Sequence, residues 1–337
     1  MQFAGSHILS VQQFERADVE RIFAVADRMS PYARRLRVTR VLDGAILGSM
    51  FFEPSTRTRV SFGSAFNLLG GEVRETTGIE NSAIAKGESL YDTARVLSGY
   101  SDVIVMRHPV AGSVAEFAAA SRVPVINGGD GSNEHPSQAL LDLYTIKSEQ
   151  AERGRGIDQL RIAMVGDLRF GRTVHSLSKL LCLFERVQVT LVSPAELRMP
   201  GEIIEEMRLA GIEVIESDAL EASISHVDIV YSTRIQEERF NSPAEADLYR
   251  GRYRLNQSIY THHCEPNTVI MHPLPRDSRD NARELDDDLN DNPNLAIFRQ
   301  TDNGMLVRMA MFALALDVVE QVDNHSRDVN WYTAGRF

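Results

Sequence analysis

A buried strand, a tight turn and a helix in immediate succession constrain this fold more than any other part of the chain. The apolar run from Ile46 to Phe52 predicts the strand, and Glu53-Pro54 marks the turn. Beyond the turn, apolar residues recur at helical spacing until Gly70-Gly71 ends the pattern. We therefore predict a helix that begins at Ser55 or Thr56, because both are natural N-cap residues.

The first turn of this helix carries two arginines, Arg57 and Arg59, where a helix already has partial positive charge. Each exposed cation at such a position costs about 0.3 to 1 kcal/mol, and a bound anion would remove the conflict. Backbone N–H groups, hydroxyls and guanidinium groups are all donors, so their combination favours a phosphate site. The alternative is that both arginines lie on the surface and pair with acidic neighbours such as Glu53.

Strand and helix patterns alternate along the rest of the chain, which predicts an α/β fold. The segment from Ala151 to Gly156 is rich in glycine and charge and indicates a boundary, after which the alternation restarts. Two such runs predict two doubly wound parallel-sheet domains joined by two helices. The predicted divisions are residues 1–138 plus 304–337 for the first domain, 151–300 for the second, and 135–150 for a linking helix.

Three further expectations concern individual elements. A short strand is predicted over residues 123–126, followed by a turn-rich loop over residues 127–134. A helix is predicted over residues 243–250. The last long helix is predicted over residues 304–322 and is apolar enough to pack on the first domain.

The composition is that of an ordinary globular protein, because 43% of the 337 residues are hydrophobic and 25% are charged. No stretch approaches the roughly 20 apolar residues of a membrane span, and the N-terminal residues lack a basic region followed by an apolar core. We therefore expect a cytoplasmic protein without a membrane partner. A net charge of −11 argues against nucleic acid as a partner. The two cysteines, Cys182 and Cys264, are too few for a disulfide framework.

Cationic or hydrogen-bonding residues follow four of the predicted strands. Ligands of open parallel sheets bind beyond the carboxyl ends of the strands. For any one of these residues alone, a surface salt bridge is an equally good explanation. Together they predict a site that collects anions, and a substrate with several negative charges. The residues are Arg107, Arg172, Arg234 and the run from His272 to Arg276.

His135 and Gln138 lie three residues apart at the start of a predicted helix, so both side chains share one face near its positive end. They follow the glycine-rich loop over residues 127–134, which lets the backbone approach a ligand. A lone histidine is more often a structural residue than a ligand contact. On the residues alone, both interpretations stay open.

Two other patterns are incomplete versions of known sites. Gly166 to Thr173 has the spacing of a nucleotide phosphate-binding loop, but Arg172 stands where that loop requires a lysine, and no carboxylate pattern for magnesium accompanies it. His262-His263-Cys264 are adjacent in sequence rather than spaced to converge on a metal ion. We therefore expect no nucleotide hydrolysis, no metal site and no cofactor.

The sequence FFEPSTRTRVSF at residues 51–62 and HPSQ at residues 135–138 resemble motifs of the aspartate/ornithine carbamoyltransferase family. The resemblance extends from about residue 36 to residue 319, with every motif in the expected order. It implies that carbamoyl phosphate binds first. The contacts that it implies are Ser55, Thr56, Arg57 and Thr58 at the phosphate, with Ser82 and Lys86 of a neighbouring chain; Thr58, Arg107 and His135 at the carbonyl oxygen; Gln138 at the carbamoyl NH2 group; and the backbone carbonyls of Leu274 and Pro275 near the amine or the carbamoyl NH2 group.

Three motifs resemble those family members that use aspartate as acceptor: VGDLRFGRTVHS at 165–176, TRIQEER at 233–239 and HPLP at 272–275. The resemblance implies transfer of the carbamoyl group to the amino group of L-aspartate. A dicarboxylate needs cations, whereas ornithine would need an acidic side chain for its amine. The implied aspartate contacts are Lys86, Arg172, Arg234 and Gln236. The implied catalytic residues are Arg57, Thr58, Lys86, Arg107 and His135. None of these is an evident general base, so the departing phosphate would take the proton.

Two alternative functions stay open at this stage. One is a carbamoyltransferase for another amine, such as ornithine or an acylated ornithine, and the other is a non-catalytic binding protein that kept the fold. The stretch from Ser82 to Glu88 resembles a loop shared between subunits, which implies a homotrimer with shared active sites. In this stretch Ala85 replaces a second lysine of some relatives. A regulatory chain is a further partner that the resemblance allows, and residues 1–10 and 324–337 lie outside all motifs.

Overall fold

The computed structural model describes residues 1–78, 86–237, 240 and 247–333. Contacts between Cα atoms divide the chain into two compact units: unit 1 is Met1–Leu141 with Asp302–Phe337, and unit 2 is Asp142–Thr301. Residues 243–246, half of the helix predicted over residues 243–250, lie outside the described residues. None of the described helices combines the length and the apolar character that a membrane span requires.

Unit 1 is built on a parallel four-stranded sheet with the order β3-β2-β4-β5. Strand β4 is buried along its whole length, which is typical of a central parallel strand covered on both faces. The strands are β1 (Arg37–Thr39), β2 (Ile46–Phe51), β3 (Glu72–Thr77), β4 (Val103–His108), β5 (Val125–Asp130) and, late in the chain, β11 (Ser326–Asp328). The helices are α1 (Arg16–Ala33), α2 (Thr56–Leu68), α3 (Leu90–Leu97), α4 (Ser113–Ala120), α5 (Pro136–Ala151), which ends in unit 2, and α10 (Ile297–Ala315), which begins there.

Helix α2 is held in place by aromatic packing against the last long helix, α10. The rings of Phe62 and Phe66 both meet the ring of Phe312 edge to face, with centroids 5.8 and 5.0 Å apart. All three rings are buried. Such aromatic pairs add about 0.5 to 1.5 kcal/mol each beyond the burial of their area. This packing fixes the helix that follows the turn at Glu53-Pro54.

Both terminal segments, which no motif explained, are integrated into unit 1. Ile8 pairs with Ile126 in parallel and so covers the open edge of β5. Near the other end of the chain, β11 pairs with β1 antiparallel. The hydroxyl of Tyr32 on α1 donates to Asp323 at 2.6 Å. The short strands β1 and β11 escaped sequence analysis because three residues do not show a period.

Unit 2 contains a parallel five-stranded sheet with the order β10-β9-β6-β7-β8. Two parallel sheets therefore confirm the predicted α/β class. The strands are β6 (Arg161–Val165), β7 (Gln188–Val192), β8 (Glu213–Ser217), β9 (Ile229–Ser232) and β10 (Val269–Met271). The helices are α6 (Arg172–Leu181), α7 (Gly201–Leu209), α8 (Leu220–Ser223) and α9 (Gln257–His263).

The strand orders locate one topological switch point in each sheet. In unit 1 the chain runs from β2 outward to β3 and then returns to β4 on the other side of β2. In unit 2 it runs from β6 to β7 and β8 and then returns to β9 on the other side of β6. Ligands of doubly wound sheets bind at such points, beyond the carboxyl ends of the strands.

Two predicted elements differ from the structure, and one observed element was not predicted. Strand β5 extends to Asp130, because the glycines read as a turn allow close packing; a Cβ at Gly128 would lie 3.3 Å from the Met106 carbonyl oxygen. Helix α10 runs from Ile297 to Ala315 rather than over 304–322. Gly304 lies inside this helix instead of starting it, although a glycine in a helix interior costs about 1 kcal/mol. Helix α9 was not predicted.

Candidate active site

The start of α2 agrees with the sequence in detail. Ser55 is the N-cap residue, and its hydroxyl makes no capping hydrogen bond to the helix in the described structure. Arg57 is exposed in the first turn, whereas the Thr58 side chain is buried. Thr56, the first helical residue, is exposed as well. Hydroxyl groups, an arginine and the N–H groups of a helix N-terminus therefore occur together at this end of β2.

Arg59 lies in the first turns of α2 as well. The Arg59 guanidinium pairs with the carboxylate of Glu75 on β3. The alternative of an arginine that pairs with an acidic neighbour therefore applies to Arg59. Because its partner lies on an outer strand, away from the switch point between β2 and β4, Arg59 serves the packing of α2 against β3.

Arg107 lies at the end of β4 and is almost completely buried. Its Nε donates to Glu53 Oε2 at 3.0 Å, and its Nη1 donates to the Gly128 carbonyl oxygen at 3.5 Å. The guanidinium is thus held between the turn before α2 and strand β5. Because β2 and β4 pair in register at Phe51 and Arg107, this cation lies at the switch point of the unit 1 sheet.

His135 is buried immediately before α5, and its position depends on the loop that follows β5. The Ser137 hydroxyl lies 3.4 Å from His135 Nδ1, and the Gln138 N–H donates to the His135 carbonyl at 3.0 Å. The carboxylate of Asp130 shapes the loop by accepting several hydrogen bonds. Its donors are the side chains of Asn127 and Asn133 and the N–H groups of Gly112 and Glu134.

These residues form what we call the unit 1 site. Its members lie at the carboxyl ends of three neighbouring parallel strands, β2, β4 and β5. Lys86 is exposed in unit 1 shortly before α3, and Ser82 lies outside the described residues. The site consists of Ser55, Thr56, Arg57, Thr58, Arg107, His135 and Gln138.

In unit 2, the segment after β6 packs tightly against the segment after β9. Gly166 has a φ of +113°, and a Cβ there would lie 2.4 Å from the Thr233 carbonyl oxygen, so only glycine fits. Asp167 is fully buried and connects the two segments. Its Oδ1 accepts the Phe170 N–H at 2.9 Å and its Oδ2 accepts the Gln236 N–H at 3.1 Å.

Asp167 thereby joins the two segments that carry three of the four predicted contacts to L-aspartate. Arg172 is the first residue of α6, five residues after Asp167, and its side chain is half-buried. Arg234 and Gln236 follow β9 and are half-buried too, and Arg234 Nη1 donates to the Ile235 carbonyl oxygen at 3.2 Å. We call Arg172, Arg234 and Gln236 the unit 2 site. It lies at the switch point between β6 and β9.

An ion cluster anchors the segment that carries Gln236. The next residue, Glu237, accepts two hydrogen bonds of 2.6 Å from Arg250. Arg279 donates to the same carboxylate at 2.6 and 3.2 Å and also pairs with Asp277. The hydrogen bonds from Arg250, followed by those from Arg279, lower the pKa of Glu237 to about 2.

We expect the Glu237→Gln substitution to destabilise the protein in a pH-dependent manner. The Glu237 pKa falls from an ordinary value of 4.5 to about 2 in the folded state, so its contribution is fully present above pH 4.5 and lost as pH falls towards 2. Urea unfolding should show equal differences between the variant and wild type at pH 7.5 and 5.5, and a smaller one at pH 3.5. A difference that stays constant down to pH 3.5 would contradict this assignment.

The loop after β10 contains the predicted contacts Leu274 and Pro275. Leu274 has a φ of +56°, and the peptide bond between the two residues is cis. The Leu274 N–H donates to Nδ1 of His272 at 2.8 Å. The His272 ring, which is buried, therefore contacts the backbone of its own loop rather than standing at a surface.

The described residues contain neither a cluster that could bind a metal ion nor a reactive thiol. No group of three or more His, Cys, Asp or Glu side chains in the described parts of the chain could hold a metal ion. Cys182 and Cys264 are free thiols, and burial raises the pKa of each to about 12. At neutral pH both are protonated and poor nucleophiles.

Sequence analysis missed the residues that hold the predicted side chains. Glu53 pairs with Arg107, Asp130 shapes the His135 loop, and Asp167 connects Gln236 to the loop before Arg172. An acidic residue two positions after a buried strand, as Asp167 is, was the one available signal. The partners of the other two could not be read from local spacing.

Two family profiles match the chain. The profile described as aspartate/ornithine carbamoyltransferase, carbamoyl-P binding domain, matches residues 6–148. The profile described as aspartate/ornithine carbamoyltransferase, Asp/Orn binding domain, matches residues 158–315. Together they account for most of both units.

Similar proteins match over nearly the whole chain. The aspartate carbamoyltransferase catalytic subunit of Saccharophagus degradans is 76% identical over 337 residues, with 100% of both chains covered. The catalytic subunit of M. jannaschii aspartate transcarbamoylase has a TM-score of 0.83 at 43% identity, covering 94% of this chain and 99% of that one. The Trypanosoma cruzi enzyme in complex with N-(phosphonacetyl)-L-aspartic acid has a TM-score of 0.85 at 37% identity, covering 93% and 97%.

Proposed function

The chain belongs to the aspartate/ornithine carbamoyltransferase family, and on this basis we propose how its two sites divide the work of the reaction. The chain is an enzyme that transfers the carbamoyl group of carbamoyl phosphate to the amino group of L-aspartate, giving N-carbamoyl-L-aspartate and phosphate. Unit 1 is the carbamoyl phosphate-binding domain and unit 2 the aspartate-binding domain. We assign to these domains the divisions predicted from the sequence, residues 1–138 plus 304–337 and residues 151–300, with residues 135–150 as a linking helix.

Carbamoyl phosphate binds at the unit 1 site, where the first turn of α2 receives the phosphate. The phosphate accepts from Ser55, Thr56, Arg57 and Thr58, which offer hydroxyls, N–H groups and one guanidinium at a helix N-terminus. Ser82 and Lys86 of a neighbouring chain complete this shell. Gln138 and the carbonyls of Leu274 and Pro275 hold the carbamoyl NH2 group.

Catalysis consists of orientation and stabilisation of charge. The aspartate amine attacks the carbonyl carbon, the new C–N bond forms, the C–O bond to phosphate breaks, and the departing phosphate takes the proton of the amine. Negative charge grows on the carbonyl oxygen during the attack. Thr58, Arg107 and His135 donate to that oxygen, and Arg107 is already fixed by Glu53.

L-Aspartate binds at the unit 2 site, because its two carboxylates need cations and amide donors. Arg172, Arg234 and Gln236 supply these groups, and Lys86 of the neighbouring chain adds a further charge. Asp167 orders this site by accepting the Gln236 N–H. The mechanism requires no cofactor and no metal ion.

One observation carries the proposal: each set of cationic and hydrogen-bonding side chains occupies the switch point of its own parallel sheet. The test is phosphate release from carbamoyl phosphate with a panel of amines. We expect kcat/KM for L-aspartate to exceed that for L-ornithine and N-acetyl-L-ornithine by at least about 10²-fold, because a site lined by arginines rejects a second amine. A preference for either ornithine compound would assign the chain to a different acceptor.

The active enzyme is a homotrimer with shared active sites. Lys86 is exposed on unit 1, and the neighbouring Tyr91 and Val96 on α3 are 59% and 46% exposed, a surface that a second chain would cover. A mixture of Lys86→Ala and Arg57→Ala chains should regain activity after dissociation and reassembly, because mixed trimers contain complete sites. Native mass spectrometry should give three chains; a monomeric active enzyme would exclude the proposal.

The cellular context follows from the reaction. The product enters pyrimidine biosynthesis, and a cytoplasmic location suits two free, half-buried thiols. The relatives are named catalytic subunits, which favours a regulatory chain as a further partner. Native mass measurements of the purified complex with and without nucleotides would detect that partner.

A further inference from the structure

A carboxylate that the reaction does not use is buried at the start of unit 2. Asp142 on α5 is fully buried, and so is Tyr231 on β9. The Tyr231 hydroxyl donates to Asp142 Oδ2 at 2.6 Å. The side-chain amide of Gln300 on α10 donates to Asp142 Oδ1 at 2.7 Å. A buried charge is costly unless it is hydrogen-bonded, so the hydrogen bonds from Tyr231 and Gln300 stabilise Asp142 in this position.

Gln300 links Asp142 to the loop after β10. Its nitrogen must face Asp142, because a carboxylate only accepts, and its oxygen must therefore face the other way. That oxygen accepts the N–H of His272 at 3.0 Å. The carboxylate thus fixes the orientation of an amide that holds the first residue of the loop.

The ring of His272 contacts the backbone of Leu274 and the carboxylate of Glu284. Nδ1 accepts the Leu274 N–H at 2.8 Å, so the proton of the neutral ring lies on Nε2. Nε2 is 2.8 Å from Oε1 of Glu284, a close electrostatic contact without the alignment of a hydrogen bond. The same Glu284 oxygen accepts the Asp277 N–H at 3.2 Å. Both ends of the loop are therefore attached to buried side chains.

The loop needs this support because of the backbone at Leu274. A φ of +56° is unfavourable for a residue with a branched side chain, and such a conformation persists only where the surroundings enforce it. We propose that Asp142 and Gln300 are positioning residues that hold the backbone carbonyls of Leu274 and Pro275 in place. This inference rests on the proposed function, in which those two carbonyls contact carbamoyl phosphate.

The test compares two substitutions that each remove one hydrogen bond from Asp142. Gln300→Met breaks the connection to His272, whereas Tyr231→Phe removes a hydroxyl that contacts Asp142, Gln300 and Thr173 but leaves the bonds of Gln300 to Asp142 and His272 in place. We expect kcat/KM for carbamoyl phosphate to fall about 10- to 100-fold in Gln300→Met and less than about threefold in Tyr231→Phe. The KM for aspartate should change less than about threefold in both.

Thermal unfolding of both variants separates positioning from stability. If the role were only structural, the two losses of activity would follow the two losses of Tm, and the inference would be wrong. Wild type is assayed first with carbamoyl phosphate and aspartate, so a failure of the proposed function would already appear there. If wild type is active and the two variants have the same kcat/KM for carbamoyl phosphate, the positioning role is excluded and the proposed function is not affected.

Two further variants keep the test decisive if Gln300→Met does not fold. Asp142→Asn retains an oxygen that can accept from Gln300 and should keep activity within about fivefold of wild type, whereas Asp142→Ala should not. Gln300→Glu places two carboxylates together, and a shared proton would restore the bond at low pH. Its kcat/KM relative to wild type should therefore rise as pH falls; a ratio independent of pH would count against the proposal.

Discussion

We expect the Arg57→Ala variant to lose about 10³-fold in kcat/KM for carbamoyl phosphate, because the substitution would remove a charged donor to the reacting phosphate. Arg57 is exposed in the first turn of α2, at the switch point of the unit 1 sheet. A phosphate there would interact with both the guanidinium and the positive end of the helix. The variant should fold normally, because the side chain lies at the surface.

Arg59→Ala is the matched control for this prediction. Arg59 lies two residues further along the same helix, carries the same charge and pairs with Glu75. An exposed pair of this kind contributes about 0 to 1 kcal/mol to stability, so its removal should lower Tm slightly and leave kcat/KM within about threefold. Steady-state phosphate release with carbamoyl phosphate as the varied substrate gives both values. Equal losses in the two variants would show that the arginines act only through the net charge of the helix.

The start of α2 also shows which parts of the structure could be predicted from the sequence. The strand, the turn and the start of α2 were predicted correctly, because apolar spacing, a proline and an N-cap residue are local signals. The same pattern could not identify Glu75 as the partner of Arg59. Glu75 belongs to the next strand, and the strand order that brings it to α2 is a property of the sheet.

The residues that orient the side chains of the two sites could not be predicted from the sequence, for the same reason. Glu53 and Arg107, Asp167 and Gln236, and Asp142 and Gln300 are separated by 54, 69 and 158 residues. The first two pairs form because parallel strands bring distant segments to one end of a sheet, and the third joins the helices α5 and α10. Sequence spacing identified side chains that could meet a ligand, whereas the partners that orient them follow from tertiary contacts.

Asp167 allows the second large prediction, at the unit 2 site. The Asp167→Ala variant should raise KM for aspartate by about 10- to 100-fold and lower kcat, because the side chain positions the segments carrying Arg172 and Gln236. The substitution leaves the N–H groups of Phe170 and Gln236 without their acceptor. An unsatisfied buried donor costs about 1 to 3 kcal/mol, so these segments should shift to recover a partner.

Asp158→Ala is the control, because Asp158 also accepts a backbone N–H, from Glu185 at 2.8 Å, but lies before β6 rather than after it. This end of the strand is opposite to the unit 2 site, so Asp158→Ala should lower Tm without changing KM for aspartate. Calorimetric titration with carbamoyl phosphate should give wild-type affinity for both variants, since the unit 1 site is unchanged. If Asp167→Ala impaired carbamoyl phosphate binding as much as aspartate binding, the carboxylate would support the fold of the chain generally and not the aspartate site.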